Sequence, residues 1–310
     1  MALAQSFAAF VLLAMLGSGL AQQAQVNDPD FSARVESPAF TTRHPRVGMD
    51  EAHRNFHTRD GRYKPFAALM TADGFMVSAA PPFDGASLKS VDILVIANAM
   101  GDTSKGVATP AFTADECDAV REWVRGGGSL LLIADHVPWG DAAVVLARRF
   151  GVDMGRGIVM DAHHADGNPT RLVFSVDNGL LGEHAIIHGR NRAERVQRIV
   201  AFTGQSLGVP AGATALLKLS SDATESFDPE DQRKIEAGLP AGTQVPESHA
   251  QGLAMPFGKG RVVVFGEAAL FSAQVATIDG QSFKVGMNVP GNDDRQLAIN
   301  VMHWLARLIN

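Results

Sequence analysis

Residues 91–97 and 130–134 are apolar at almost every position, with only Asp92 breaking the first run. Short runs without alternation are the pattern of strands buried on both faces. Residues 261–266 repeat it, and shorter runs at 46–49, 75–78 and 158–160 predict three further strands. Between these runs the chain reads as helix: residues 63–70 with Gly74 as the stop, residues 113–125, and residues 141–150. Thr113-Ala114-Asp115-Glu116 is a capping box, in which Thr113 caps and Glu116 reaches back. Gly126-Gly127-Gly128 ends that helix. At the end of the chain Leu297, Val301, Trp304, Leu305 and Leu308 form one apolar face of a closing helix, with Asn292 or Asp293 as its cap.

Strand and helix alternate from Arg46 to Asp161. Such alternation predicts a parallel sheet with right-handed crossovers. Beyond Asp161 the order weakens. Residues 166–191 are loop-rich, and residues 195–202, 214–219 and 250–255 read as strands of a more antiparallel portion. Residues 22–45 are a polar, extended lead-in, and residues 222–246 a polar excursion punctuated by Pro and Gly. The domain organisation expected is a leader, the lead-in, and one α/β domain over residues 46–310.

Composition narrows the function classes. The chain is 46% hydrophobic and 19% charged, which is ordinary for a globular protein. Its formal net charge of −6, without any cluster of Lys or Arg, argues against nucleic acid as the partner. Residues 7–16 are a short apolar run followed by small residues, and Gly19-Leu20-Ala21 fits a signal-peptidase site. This predicts a signal peptide over residues 1–21, no membrane span after its cleavage, and a periplasmic or secreted protein, although no Lys or Arg precedes the apolar run. Cys117 is the single cysteine, so no intrachain disulfide forms, and its place in an amphipathic segment predicts core packing.

In an open α/β sheet, ligands bind outside the carboxyl ends of the strands. The predicted strands end in chemistry-bearing residues: Asp50, Asn98, Asp135-His136, Asp161 followed by His163 and His164, and Glu267. Asp135 and His136 sit at a sharp turn, where a carboxylate can orient an imidazole or tune its basicity. His163 and His164 are adjacent, so at most one faces a shared pocket. His53 and His57 are four apart; on a helix they would share a face and, with Asp50 or Glu51, could hold a divalent metal. Asp50-Glu51-Ala52-His53 also matches a helicase box in letters, but the phosphate-cradling Gly-rich loop that chemistry needs is missing. Gly204-Gln205-Ser206-Leu207-Gly208 fits the serine-hydrolase pattern, yet residues 209–212 begin no helix. A hydrolase built on Ser206 would need His249 and an acid such as Asp222 nearby.

The stretch from Val91 to Ala143 resembles class I glutamine amidotransferase-like domains: a buried strand, a crossover helix ending in glycines, and a strand meeting a sharp turn. The segments at 50–57, 202–207, 260–266 and 297–305 extend the resemblance to an uncharacterised bacterial branch of that superfamily. The resemblance implies a flavodoxin-like, mostly parallel sheet with helices on both faces, a fold shared by ThuA-like proteins linked to sugar metabolism and by non-catalytic gliding-motility and intraflagellar-transport components. True amidotransferases carry Cys at the turn, partnered by His and Glu; here the turn reads Ala134-Asp135-His136. Covalent thioester chemistry therefore lacks its nucleophile. The expectation is a small-molecule site on the carboxyl edge for a sugar-like ligand. His136 would be its base, Asp135 or Glu267 the orienter, Asp50, Asn98, Asp161 and His163 the ligand-binding residues, and His53 and His57 the holders of a divalent metal. The competing expectation is a non-catalytic binding or assembly module on the same fold.

Overall fold

The computed structural model describes residues 24–102, 109–226, 245–246, 249–278 and 281–310. The leader predicted over residues 1–21 lies outside them, as does most of the excursion at 222–246. In chain order the elements are β1 (Ala24–Asn27), β2 (Arg46–Met49), α1 (Lys64–Ala72), β3 (Met76–Ala79), β4 (Ile93–Ala97), α2 (Ala114–Arg125), β5 (Ser129–Ile133), α3 (Trp139–Arg148) and β6 (Ile158–Met160). They continue with β7 (Val173–Ser175), α4 (Ala185–His188), β8 (Arg198–Val200), β9 (Thr214–Lys218), β10 (Thr224–Ser226), β11 (Ala250–Phe257), β12 (Gly260–Phe265), β13 (Ala273–Ile278), β14 (Gln281–Gly286) and α5 (Asp294–Leu305).

A seven-stranded sheet in the order β3-β2-β4-β5-β12-β11-β9 forms the centre. Its first five strands are parallel, and β11 and β9 add an antiparallel margin. Every residue of β4 and β5 is buried, as their unbroken apolar runs require. The period of two then sends alternate side chains to two cores. Ile93, Val95, Leu131 and Ile133 face one core with α1 and α5; Leu94, Ile96, Leu130 and Leu132 face the other with α2 and α3. Helices therefore cover both faces. Cys117 is fully buried in the second core, and burial pushes its thiol up to about 11.

The capping box of α2 forms as written: Thr113 Oγ1 accepts from the Glu116 amide at 3.2 Å and Glu116 accepts from the Thr113 amide at 2.8 Å. Such a cap stabilises by about 1 kcal/mol. Four expectations are corrected. Strand β6 does not join the main sheet but pairs antiparallel with β10, so the parallel alternation stops at β5 and resumes only with β12. β10 itself belongs to the supposed polar excursion, and its Glu225 and Ser226 are buried. Of the two caps expected for α5, Asp293 stands at the N-cap without capping it, its carboxylate accepting instead from the Gln197 and Arg198 amides, while Asn292 Oδ1 accepts from the Asp294 amide at 3.4 Å. Leu308 lies past the end of α5 and is exposed. The lead-in is pinned at β1, which pairs with β13.

Candidate functional site

The carboxyl ends of β2, β4, β5 and β12 bring Asp50, Asn98, Asp135, His136 and Glu267 to one edge of the sheet. The parallel run of β12 beside β5 is what carries Glu267 there. Asn98 is the knot of this edge. Its backbone adopts the left-handed region at φ 45°, which Asn tolerates better than most residues. Its amide donates to the Ile133 carbonyl at 2.9 Å, its own carbonyl accepts from Phe56, and its Oδ1 accepts from the Asp135 amide at 2.9 Å. One residue thus joins β4, β5 and the loop after β2.

Asp135 and Glu267 are both buried. Burial raises the pKa of Asp135, while the neighbouring His136 and backbone N–H groups pull it back. Glu267 lies well above the usual carboxylate range, first through burial and then through the field of Asp135. Two carboxyl groups that repel in a dry place favour one proton between them. Glu267 accepts from the amides of Ala269 and Leu270, each at 2.8 Å, so it also holds the turn after β12. Tyr63, the single tyrosine of the chain, donates its hydroxyl to the Ala268 carbonyl at 2.7 Å in the same place. Burial and the fields of Glu267 and Asp135 raise its pKa, so the phenol keeps its proton.

His136 points its Nδ1 at the Val137 carbonyl at 2.9 Å. A carbonyl only accepts, so Nδ1 carries a proton. The other ring nitrogen, Nε2, lies 3.8 Å from Asp135 Oδ1. The ring also packs against Trp139. Gln205 buttresses the turn from behind: its Nε2 donates to the carbonyls of Ala134 at 2.6 Å and Asp135 at 3.0 Å. Gln251 is fully buried, and neither its Nε2 nor its Oε1 has a hydrogen-bond partner among the described residues. Gly204 separates it from Glu267, since a Cβ there would come within 2.7 Å of Gln251 Nε2 and 2.8 Å of the Glu267 Cβ. Tyr63, Gln205 and Gln251 are not signalled by any strand-end pattern. Only the rarity of tyrosine and the Gly204–Gly208 motif stand out in the sequence, and in that motif Gln205, not Ser206, reaches the carboxyl edge.

The helix that would align His53 with His57 is not formed; residues 50–60 are bends, turns and irregular chain. His53 lies between the rings of Phe83 and Phe112, with Nδ1 on Asp50 at 2.9 Å and Nε2 on Glu116 at 3.3 Å. Both ring nitrogens face carboxylates. Burial opposes the charge, but Asp50 and Glu116 together hold its pKa above the ordinary value. His57 instead packs on Phe56 and Tyr63, and burial with the nearby Arg62 pushes its pKa down to about 3. The pair therefore does not fit a shared metal ion. Among the described residues no group of three or more His, Cys, Asp or Glu side chains is arranged to hold one.

Asp161 is tied elsewhere, because β6 left the sheet. It accepts from Ser220 Oγ at 2.6 Å and pairs with His164 Nδ1 at 2.8 Å. His163 is exposed; His164, not His163, is the histidine engaged with a carboxylate. Neither Asp161 nor His163 has a hydrogen bond to the Asp135 group. Ser206 is buried and donates to Glu225 at 2.6 Å rather than to a histidine, and His249 is exposed. The serine-hydrolase arrangement is therefore not assembled.

No protein-family profile and no curated protein matches the sequence. Solved structures do match in fold. The mmIFT52 N-terminal domain superposes with a TM-score of 0.57 at 14% identity, over 84% of this chain and 96% of that one. A protein described as thua-like, from Bacteroides uniformis, gives 0.47 at 14% identity over 86% of this chain and 94% of that chain. A cytoplasmic protein from Salmonella typhimurium gives 0.43 at 12% identity over 84% and 98%. At 14% identity the likeness to the first of these is one of fold alone: mixed α/β, with a large, mostly parallel sheet covered by helices. Among the described residues no helix is long and apolar enough to cross a membrane.

Proposed function

We propose that the carboxyl edge of the sheet binds a small polar, sugar-like molecule and acts on it by acid/base chemistry, with His136 as the base. The observation that carries this reading is the buried His136 imidazole, its Nε2 3.8 Å from the buried Asp135 carboxyl group, on the edge where such sheets bind ligands. Asp135 accepts from the His136 backbone amide at 3.0 Å and so holds the turn that carries the ring, and Glu267, its pKa raised by burial and by the field of Asp135, is the candidate acid of the edge. The Gln251 amide beside Glu267, buried and without a partner among the described residues, supplies the hydrogen-bonding capacity that a polar ligand would satisfy. The five parallel strands follow the spatial order 2-1-3-4-5 of flavodoxin-like sheets, which supports an amidotransferase-like fold without the amidotransferase nucleophile. Export through the predicted leader accompanies this reading, and N-terminal sequencing of the mature protein, expected to begin at Gln22, tests it.

A second reading has its own support. Both oxygens of Glu267 already serve backbone amides, and the fold matches the mmIFT52 N-terminal domain. On this reading the edge is structural and the protein is a non-catalytic binding or assembly module. Thermal-shift and hydrolysis screens against neutral sugars, amino sugars, sugar acids and their glycosides separate the two. The catalytic reading expects a ligand that stabilises wild type, and turnover reduced at least about 100-fold in a folded His136→Ala variant. Turnover unchanged in His136→Ala removes His136 as the base; no ligand and no turnover in either protein leaves the module.

A further inference from the structure

At the opposite, amino edge of the sheet lies a cleft of about 530 Å³. It opens where β2, β4 and β5 begin, between the last turn of α2 and the end of α5. Its volume falls in the range of small-molecule sites. Four cations line it, Arg43, Arg46, Lys89 and Arg307, against two carboxylates, Asp92 and Glu122, although the chain as a whole has a formal net charge of −6.

The charges are not equally free. Arg46 forks onto Asp92 through Nε at 3.2 Å and Nη2 at 2.9 Å, which neutralises that carboxylate. Glu122 pairs with Arg121 and Arg125. Arg307 donates to the carbonyls of Gly127 and Lys259 and so covers the negative end of α2. The side chains of Arg43 and Lys89 have neither a hydrogen bond nor an ion pair among the described residues, and both residues are exposed at the rim; the Lys89 backbone carbonyl accepts from Arg46, and Arg43 acts on Asp92 only through its field. The cleft therefore presents two cationic side chains without a partner, Arg43 and Lys89, beside an Arg307 whose donors are taken up by carbonyls.

The remaining wall is apolar. Val91 and Leu305 are buried there, and the Trp123 indole is half-buried. Gly128 lies directly on that indole: a Cβ at this position would come within 2.3 Å of the ring. The glycines that end α2 thus also let the backbone pass under Trp123 and shape the floor of the cleft.

We propose that this cleft binds a small organic phosphate, its dianionic group held by Arg43 and Lys89 and its apolar part resting on Trp123 and Val91. Two free cations match the charge of a phosphomonoester, close to −2 at neutral pH, whereas a monocarboxylate leaves one of them unmatched. Guanidinium and ammonium groups are also the usual partners of phosphate oxygens.

The test uses the full chain, with phenyl phosphate, inorganic phosphate and benzoate as probes, read by tryptophan fluorescence and by calorimetry. Saturable binding of phenyl phosphate is expected with a dissociation constant of about 1 mM or below, weaker binding of the other two probes, and loss of binding on adding salt. Arg43→Ala with Lys89→Ala should weaken phenyl phosphate at least about tenfold. Both side chains are exposed, so the melting temperature should not move. Trp123→Phe should lose most of the fluorescence change and keep calorimetric binding. The proposal is overturned by the absence of saturation up to about 10 mM, by equal affinity in the double variant, or by benzoate or inorganic phosphate binding as well as phenyl phosphate.

Discussion

The two ends of the same parallel strands are chemically opposite. At the carboxyl ends, Asp135, Glu267, Asp50 and His57 are buried and their environments are largely dry. At the amino ends, Arg43, Arg46 and Lys89 are exposed around an open cleft. Burial makes the first set sensitive to protonation and costly to alter. Solvent makes the second set cheap to alter, and leaves the Arg43 and Lys89 side chains open to a ligand. Position at a strand end brings polar groups together, but the depth at which they lie determines what they can do.

Three substitutions break or sharpen that contrast. The largest effect belongs to Glu267→Ala, which strips the acceptor from the buried Ala269 and Leu270 amides. A loss of about 3 kcal/mol in urea denaturation is expected, with Glu267→Gln milder because it keeps an acceptor. A loss under about 1 kcal/mol would mean that water reaches this edge.

Next is His57. Its folded-state pKa near 3 lies below the unfolded value, so from about pH 6 down to pH 3 the unfolded chain takes up a proton that the folded chain refuses. Stability from this group alone should fall with decreasing pH by up to about 1.4 kcal/mol per pH unit. In denaturation curves across that range wild type should lose more stability than His57→Phe as pH falls; equal losses in the two proteins would show that the imidazole is solvated after all. The smallest effect is expected at the amino edge. Asp92→Asn removes the exposed pair with Arg46 and should change stability by less than about 1 kcal/mol.

Much of this molecule is legible in its residues. The runs at β4, β5 and β12 announce buried strands because nothing polar interrupts them, and the Thr113–Glu116 box and the three glycines bracket α2 because local hydrogen bonding alone defines those ends. Asp50, Asn98, Asp135, His136 and Glu267 were identifiable as strand-end residues. Asp161 and His163 were read onto the edge of the main sheet because Ile158–Met160 has the composition of a strand, but composition does not say which sheet the strand joins, and β6 pairs with β10 instead. The i, i+4 spacing of His53 and His57 misled for a related reason, since spacing has meaning only on a helix and this segment is a turn.

What the sequence determined by itself is whatever depends on neighbours along the chain: the apolar runs, the caps, the stops and the polar residue at each strand exit. What only the tertiary structure decided depends on partners far away. The parallel docking of β12 against β5 carried Glu267 to Asp135; Gln205 crossed some 70 positions to hold the Asp135 turn; Ser206 was handed to Glu225; and the ends of α2 and α5 closed a basic cleft under Trp123. Local signals arise from short-range sterics and hydrogen bonding, which a window of residues contains. Burial, and the protonation and charge pairing that follow from it, arise from the whole packed volume.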